Sequence, residues 1–335
     1  MKVMQLEDLK KKTRISGYGI AKFDIHAIDD EGVIVNPKPI AAAMRELFKR
    51  HLVGEITTRR AAIALPSYRT FSRSIQLPKL NDSELHDAVA LEVEQYIPIP
   101  MQDLYLDYTV TARSATNIEL FVVAVPKKIV DSYLVLAKAL GLDVVLVEPA
   151  MASCARLFAK DSQSDVPAVI IDFGSLTADI SIFNKHILAT GTVAAGGLVF
   201  TQAISKSLRI TVEEAGDIKT KYGLDVSKVQ KEVRKALDPS LQKMVTEIRR
   251  VLRYYDERYA GKNPIGQVIM LGGGSNMPGL GNYLTDELKM PVRTQNHPWA
   301  SFEHEGVRPP AEADRLMFAT VAGLSLLDPE EVFRP

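Results

Sequence analysis

Apolar positions fall into two periods that alternate along the chain. Short buried runs predict strands over residues 2–6, 19–28 and 61–66. Between them, Pro39 opens an amphipathic helix with Ile40, Met44, Leu47 and Leu52 on one stripe and Gly54 as its stop. Residues 67–141 read as a compact insert. It has a strand over 69–77, then a helix with an Asn81/Glu84 capping box and Leu85, Val89, Val93 and Tyr96 inward. Pro98 and Pro100 stop that helix. Alternating Leu104, Leu106, Tyr108 and Val110 predict a half-buried strand, residues 118–125 a more buried one. A helix with Val130, Tyr133, Leu134, Ala137 and Leu140 follows, stopped by Gly141. The order βαββα predicts a small sheet backed by two helices.

Residues 142–147 predict a strand, and Glu148-Pro149 the start of the next helix. The polar stretch 160–167 predicts a crossing between domains. Beyond it come a hairpin over 169–183, the glycine-bearing segment 191–197 and a helix. A third unit spans residues 211 to about 262 and opens on a Thr211/Glu214 capping box. Val245, Ile248, Leu252, Tyr255 and Tyr259 recur there at helical spacing, beside Arg249, Arg250 and Arg253. Arginine and tyrosine on one helix suit nucleic acid, but spacing this regular favours a core stripe with solvated arginines. The last helix, 315–327, is apolar enough to pack on the first domain.

Length and charge narrow the classes. A chain of 335 residues suggests two domains. A net charge of zero supplies no basic field for nucleic acid or an acidic membrane. The single cysteine, Cys154, rules out a disulfide framework and suits a reducing cytoplasm. The charged N-terminus lacks the apolar core of a signal peptide. The six histidines show no metal-ligand spacing.

The candidate chemistry lies at two glycine-punctuated strand ends. In the first, Asp172 stands two residues before Gly174 and five before Thr177, and an alternating strand with Ile180 and Ile182 leads away. Such a hairpin can wrap a phosphate: Gly174 lets backbone N–H groups approach the anion, Thr177 offers a hydroxyl, and Asp172 can hold a hydrated cation. In the second, Gly272, Gly273 and Gly274 separate a strand from a helix carrying Leu280, Leu284 and Leu288 on one face. That junction presents flat backbone and a helix N-terminus to an anion or nucleotide.

The ordered pair resembles the nucleotide-binding signature of the actin-like ATPase superfamily. Asp172-x-Gly174-x-x-Thr177 is similar to its second phosphate motif, and Leu271-Gly-Gly-Gly274 to its adenosine motif. The insert after Pro66 resembles the βαββα subdomain of the FtsA and PilM families. Local words favour the PilM family of type IV pilus assembly proteins: Glu31-Gly-Val-Ile-Val-Asn36, Ala64-Leu-Pro66, Arg73-Ser-Ile-Gln-Leu-Pro78, Glu92-Val-Glu-Gln-Tyr-Ile-Pro98 and Val123-Ala-Val-Pro-Lys127. The helix with Glu213, Glu214 and Lys219, the Glu247/Arg250 pair and Ala322-Gly-Leu324 extend the resemblance over essentially the whole chain. It implies an α/β actin-like fold of two domains around a nucleotide cleft. The first domain would comprise residues 1–66, 142–165 and 311–335, the βαββα insert 67–141, and the second domain 166–310, with 211–262 as its adenosine-side subdomain.

The resemblance also implies roles. Asp172, Gly174, Ser175 and Thr177 would face the phosphates of ATP, with Asp172 also toward a magnesium ion. Gly196 and Gly197 would line the cleft, Glu214 and Lys219 would lie over the adenosine, and Gly272, Gly273 and Gly274 beneath it. Glu148 would orient an attacking water; its other reading is a first-turn glutamate favoured by the helix dipole. Any hydrolysis would be slow. Gly216 stands where many relatives carry a second glutamate.

The implied role is a cytoplasmic ATP-binding scaffold, peripheral at the inner membrane. It would bind the N-terminal cytoplasmic segment of PilN and link the complex with PilO and PilP to the motor ATPases. An FtsA-like filament-forming division protein and a small-molecule kinase of the same superfold are the alternatives. The tail 327–335 is short, acidic and proline-broken, unlike an amphipathic anchor. At the other end, residues 1–6 match the family's second strand, with Lys2 as its motif lysine. The expectation is therefore a reading frame extending upstream by one strand and an Asp-x-Gly turn, or an edge covered instead by residues 7–14.

Overall fold

The computed structural model describes residues 1–9, 12–161, 166–259 and 263–328. Half of the expected crossing, residues 162–165, and most of the acidic tail, residues 329–335, lie outside them. The chain divides into two units: Met1–Ser153 with Phe302–Arg308 and Val321–Pro335, and Cys154–Ser301 with Pro309–Thr320.

The first unit opens with an antiparallel pair, β1 (Lys2–Asp8) and β2 (Thr13–Ile20), continued by the short β3 (Val53–Gly54) after α1 (Pro37–Glu46). The second strand thus lies earlier than the expected 19–28. Gly17 and Gly19 sit inside β2, where a β-carbon would overlap the Glu55 backbone and the Leu47 side chain respectively. Helix α1 starts where Asn36 Oδ1 accepts from Lys38 N at 3.3 Å, ahead of prolines suited to a first turn. It ends at Glu46 rather than running to Gly54; Leu47–His51 form a wider turn.

Strands β4 (Arg60–Leu65) and β8 (Asp143–Pro149) form a separate parallel pair. Between them lie β5 (Phe71–Pro78), α2 (Asp82–Glu94), β6 (Leu104–Arg113), β7 (Asn117–Pro126) and α3 (Lys127–Ala139), the expected βαββα order, with strand order β5-β7-β6. The two helices take different sides. Ile118, Leu120, Val122 and Ala124 of β7 bury against Leu85, Val89 and Val93 of α2. Val123 and Val125, on the opposite face by strand alternation, join Ile129 and Val130 of α3, Leu65 of β4 and Val147 of β8. So α3 ties the insert to the β4–β8 pair.

The chain leaves β8 through α4 (Ala150–Asp161). Glu148 and Pro149 close the strand, one step before the helix they were expected to open.

The second unit holds one five-stranded sheet. Its order is β11 (His186–Val193), β10 (Ala178–Asn184), β9 (Ala168–Phe173), β12 (Gln267–Leu271), β13 (Val292–Thr294). Strands β9, β10 and β11 are antiparallel, while β12 runs parallel to β9 and β13 to β12. Helices α5 (Gly197–Leu208), α6 (Val212–Lys221), α7 (Gln230–Tyr259) and α8 (Leu280–Leu288) follow, then short turns α9 (Pro298–Ser301), α10 (Glu312–Arg315) and α11 (Ala319–Ser325). Over 315–327, the end of α10, a 3₁₀ turn at Leu316–Phe318 and α11 replace the single helix expected there. The apolar stripe of α7 is core: Val245, Ile248 and Tyr255 are buried, with Leu252 and Tyr259 packed behind them. Arg250 pairs with Glu247 on its own helix, and Arg249 reaches Glu287 O at 2.7 Å. These contacts fit the core-stripe reading rather than a nucleic-acid face.

Candidate functional site

Parallel pairing of β9 with β12 sets Leu271 opposite Asp172, so both glycine motifs begin at adjacent carboxyl ends of parallel strands. Open α/β sheets bind ligands just beyond such ends. The two motifs also shape each other. Gly272 has φ +78°, and a β-carbon there would overlap Asp172 Oδ1 and the Phe173 carbonyl. Only glycine lets the second motif fold against the aspartate of the first. Gly273 and Gly274 are equally close, to Met317 and to the Phe173 side chain.

Asp172 is half-buried, and its Oδ2 accepts from Cys154 Sγ at 3.5 Å and from Thr320 Oγ1 at 3.3 Å. Burial first, and then the Asp172 charge, push the Cys154 thiol well above its ordinary range. Cys154 is therefore a neutral donor to the carboxylate, not a thiolate. Across the hairpin, Asp179 lies in register with Asp172; it is buried and accepts from Thr192 Oγ1 at 2.8 Å.

The turn Gly174–Leu176 is exposed. It folds against the start of α5: Gly196 N donates to Leu176 O, Gly197 N to Gly174 O and Leu198 N to Ser175 O. A β-carbon on Gly196 would overlap the Ser175 carbonyl, whereas one on Gly197 would meet nothing nearer than Lys219 Nζ at 3.5 Å. Lys219 reaches over the helix start and donates to Gly197 O and Thr201 Oγ1, each at 2.8 Å. Desolvation lowers its pKa. A half-buried ammonium held by neutral oxygens gains from any anion that approaches.

Thus Asp172, Gly174, Ser175, Thr177, Gly196, Gly197, Lys219 and Gly272–Gly274 converge in one unit. Glu214 has another commitment. It is exposed, and Oε2 accepts from Thr211 N and Thr211 Oγ1, both at 2.8 Å; these bonds lower its pKa. Lys2 and Glu148 belong to the other unit. There the buried Glu148 Oε1 accepts from Ser153 Oγ at 2.6 Å. Cys154, Thr320, Asp179 and Thr201 escaped the sequence reading. Cys154 and Thr320 lie far from Asp172 in sequence, and no local pattern points to them. Asp179 carried a signal: it is the one charged residue in β10.

The donor set suits a nucleotide–magnesium complex. A carboxylate at the strand end can take a hydrated cation, and the exposed turn with the Lys219 ammonium can take polyanionic oxygens. Among the described residues, no helix is long and apolar enough to cross a membrane.

The model of the family described as type IV pilus assembly protein PilM matches residues 1–328. Over 83 residues, 24% of this chain, the sequence is 35% identical to the cell division protein FtsA of Neisseria meningitidis serogroup B (strain ATCC BAA-335 / MC58); the match spans 20% of that protein. Among solved structures, the PilM–PilN type IV pilus biogenesis complex aligns with TM-score 0.82 at 22% identity, over 100% of this chain and 96% of that one. MreB 5 of Spiroplasma citri bound to AMPPNP aligns with TM-score 0.52 at 15% identity, over 96% and 94%. The fold is the actin-like ATPase fold that the two motifs implied.

Proposed function

The chain belongs to the PilM family of type IV pilus assembly proteins, and on that premise we propose that it is a cytoplasmic actin-like scaffold that binds ATP with magnesium and holds the N-terminal cytoplasmic segment of PilN. Through PilN it is peripheral at the inner membrane and joins the complex with PilO and PilP to the motor ATPases. The observation that carries this reading is the family match over 1–328. The similar solved structure of a PilM–PilN complex adds support for the partner.

ATP supplies a polyphosphate whose charge a magnesium ion neutralises. Asp172 would hold that ion's hydration shell. Gly174, Ser175 and Thr177 would present the turn to the phosphates, and Lys219 would add positive charge beside Gly197. Gly272–Gly274 would form the flat seat of the adenosine. Lys2 would contribute from the other unit, and Glu148, oriented by Ser153, is the candidate for positioning a water. Nucleotide occupancy would shift the population of partner-competent conformations.

The insert and the strands that α3 ties it to are the proposed PilN surface. Extended or helical segments of membrane proteins dock in apolar grooves where side-chain pockets give specificity. The test is capture of solubilised inner-membrane proteins on the immobilised full-length chain. PilN, with PilO and PilP, is expected in the eluate. Recovery of division proteins without PilN would overturn the assignment.

A further inference from the structure

Cys154 and Phe158 stand four residues apart on α4 and so share one helix face. Both are buried. Phe158 meets Phe183 of β10 edge to face, with ring centroids 5.6 Å apart, which seats α4 on the sheet. One turn earlier, the same face carries the Cys154 thiol to Asp172 near the end of β9. Thr320 arrives from α11, its hydroxyl 3.7 Å from the sulfur. All three residues belong to the second unit.

Both donors meet the same oxygen. Cys154 Sγ lies 3.5 Å and Thr320 Oγ1 3.3 Å from Asp172 Oδ2. An aspartate side chain turns about two bonds, and two donors from different helices on one oxygen restrain both turns. The other oxygen, Oδ1, packs where a β-carbon on Gly272 would overlap it. The carboxylate is thus set from both sides. A lysine or arginine in place of these donors would also orient it, but would offset the negative charge that a cation needs. An alcohol and a thiol are neutral, and the thiol is a weak donor, so they orient the carboxylate and leave its charge. Lys219 directs its donors to Gly197 O and Thr201 Oγ1 instead. Asp179, directly opposite Asp172 on β10, has its own donor in Thr192 Oγ1.

We propose that Cys154 is a positioning residue: with Thr320 it fixes the Asp172 carboxylate through neutral donors, so that Asp172 meets a nucleotide-bound cation in one orientation and with its charge intact. The inference rests on the nucleotide–magnesium reading of this site and assigns the thiol a part in it.

The chain contains one cysteine, so its infrared S–H stretching band reports Cys154 alone. In the full-length chain that band is expected to move to higher frequency in Asp172→Asn, whose amide is a weaker acceptor, and in the wild type when magnesium and ATP are added. Calorimetric titration with ATP, in magnesium and in EDTA, gives the second readout. Cys154→Ala is expected to weaken binding about fivefold in magnesium and to leave it unchanged in EDTA, and Cys154→Ser to restore it within about twofold. A purely packing role would move both titrations together, and serine would not rescue it. An S–H band unchanged in Asp172→Asn, or the same ratio of magnesium to EDTA affinity in Cys154→Ala as in the wild type, would overturn the positioning role. A wild-type chain that bound ATP in neither medium, while its band still moved in Asp172→Asn, would overturn the nucleotide reading and the role together, leaving a clamp that serves the fold.

Discussion

Asp172 and Lys219 bring opposite charges to the same strand-end turn, and truncating each separates their proposed roles. In the proposed site Asp172 would face the highest charge density, that of a phosphate-bound cation. Asp172→Ala is expected to weaken ATP–magnesium binding about tenfold or more. Lys219→Ala is expected to weaken it less, because its ammonium already donates to Gly197 O and Thr201 Oγ1. Isothermal titration checks the order; unchanged affinity in Asp172→Ala would remove Asp172 from the site. A second residue-scale prediction concerns the terminal amine. Met1 N donates to Ala21 O at 2.8 Å, and burial, with Lys2 nearby, lowers its pKa from 8.0 to about 6. A base with a lowered folded pKa binds more protons when unfolded, so stability rises as pH climbs from about 6 to 8 and is lost on the way down. The ceiling is about 2.7 kcal/mol, reduced because the amine is only partly desolvated. Chemical denaturation across that window should show the rise, and N-terminal acetylation should flatten it.

At the scale of elements, the contact between the phosphate turn and α5 yields a paired test. Gly196→Ala would push a methyl into the Ser175 carbonyl and cost about 1–3 kcal/mol. Gly197→Ala has ordinary room beside Lys219 and should leave stability within about 0.5 kcal/mol. It should nevertheless reduce ATP affinity if the nucleotide approaches the start of α5. Melting curves and titrations on both variants separate packing from binding. The sequence showed the elements of this site because its signals are local: the Asp172–Thr177 spacing, the Gly272–Gly274 run and the Thr211/Glu214 capping box each span a few residues. At Glu214 one local pattern gave both a cap and a proposed ligand, and the structure holds the carboxylate in the cap. Gly17 and Gly19 serve close packing against distant segments, which no local pattern reveals. Cys154 and Thr320 were illegible, because only the folded chain brings them to Asp172.

At the scale of the molecule, the two helices of the insert have different work. Helix α2 closes the insert's own core, while α3 joins it to β4 and β8. Removing residues 67–141 would therefore strip α3 from the β4–β8 pair as well as remove the proposed partner surface, so a point change is the cleaner probe. Val135 on α3 is 58% exposed, a large apolar side chain left at the surface of that helix. Val135→Glu should leave the melting temperature nearly unchanged and weaken PilN binding about tenfold. The family assignment, the nucleotide site and the partner surface meet in one measurement: titration of the synthetic N-terminal cytoplasmic segment of PilN into the full-length chain, with and without ATP and magnesium. The account predicts saturable binding that a scrambled segment does not reproduce, with an affinity that changes several-fold when nucleotide is present. Equal, non-saturating signals from the PilN and scrambled segments in both conditions would contradict it.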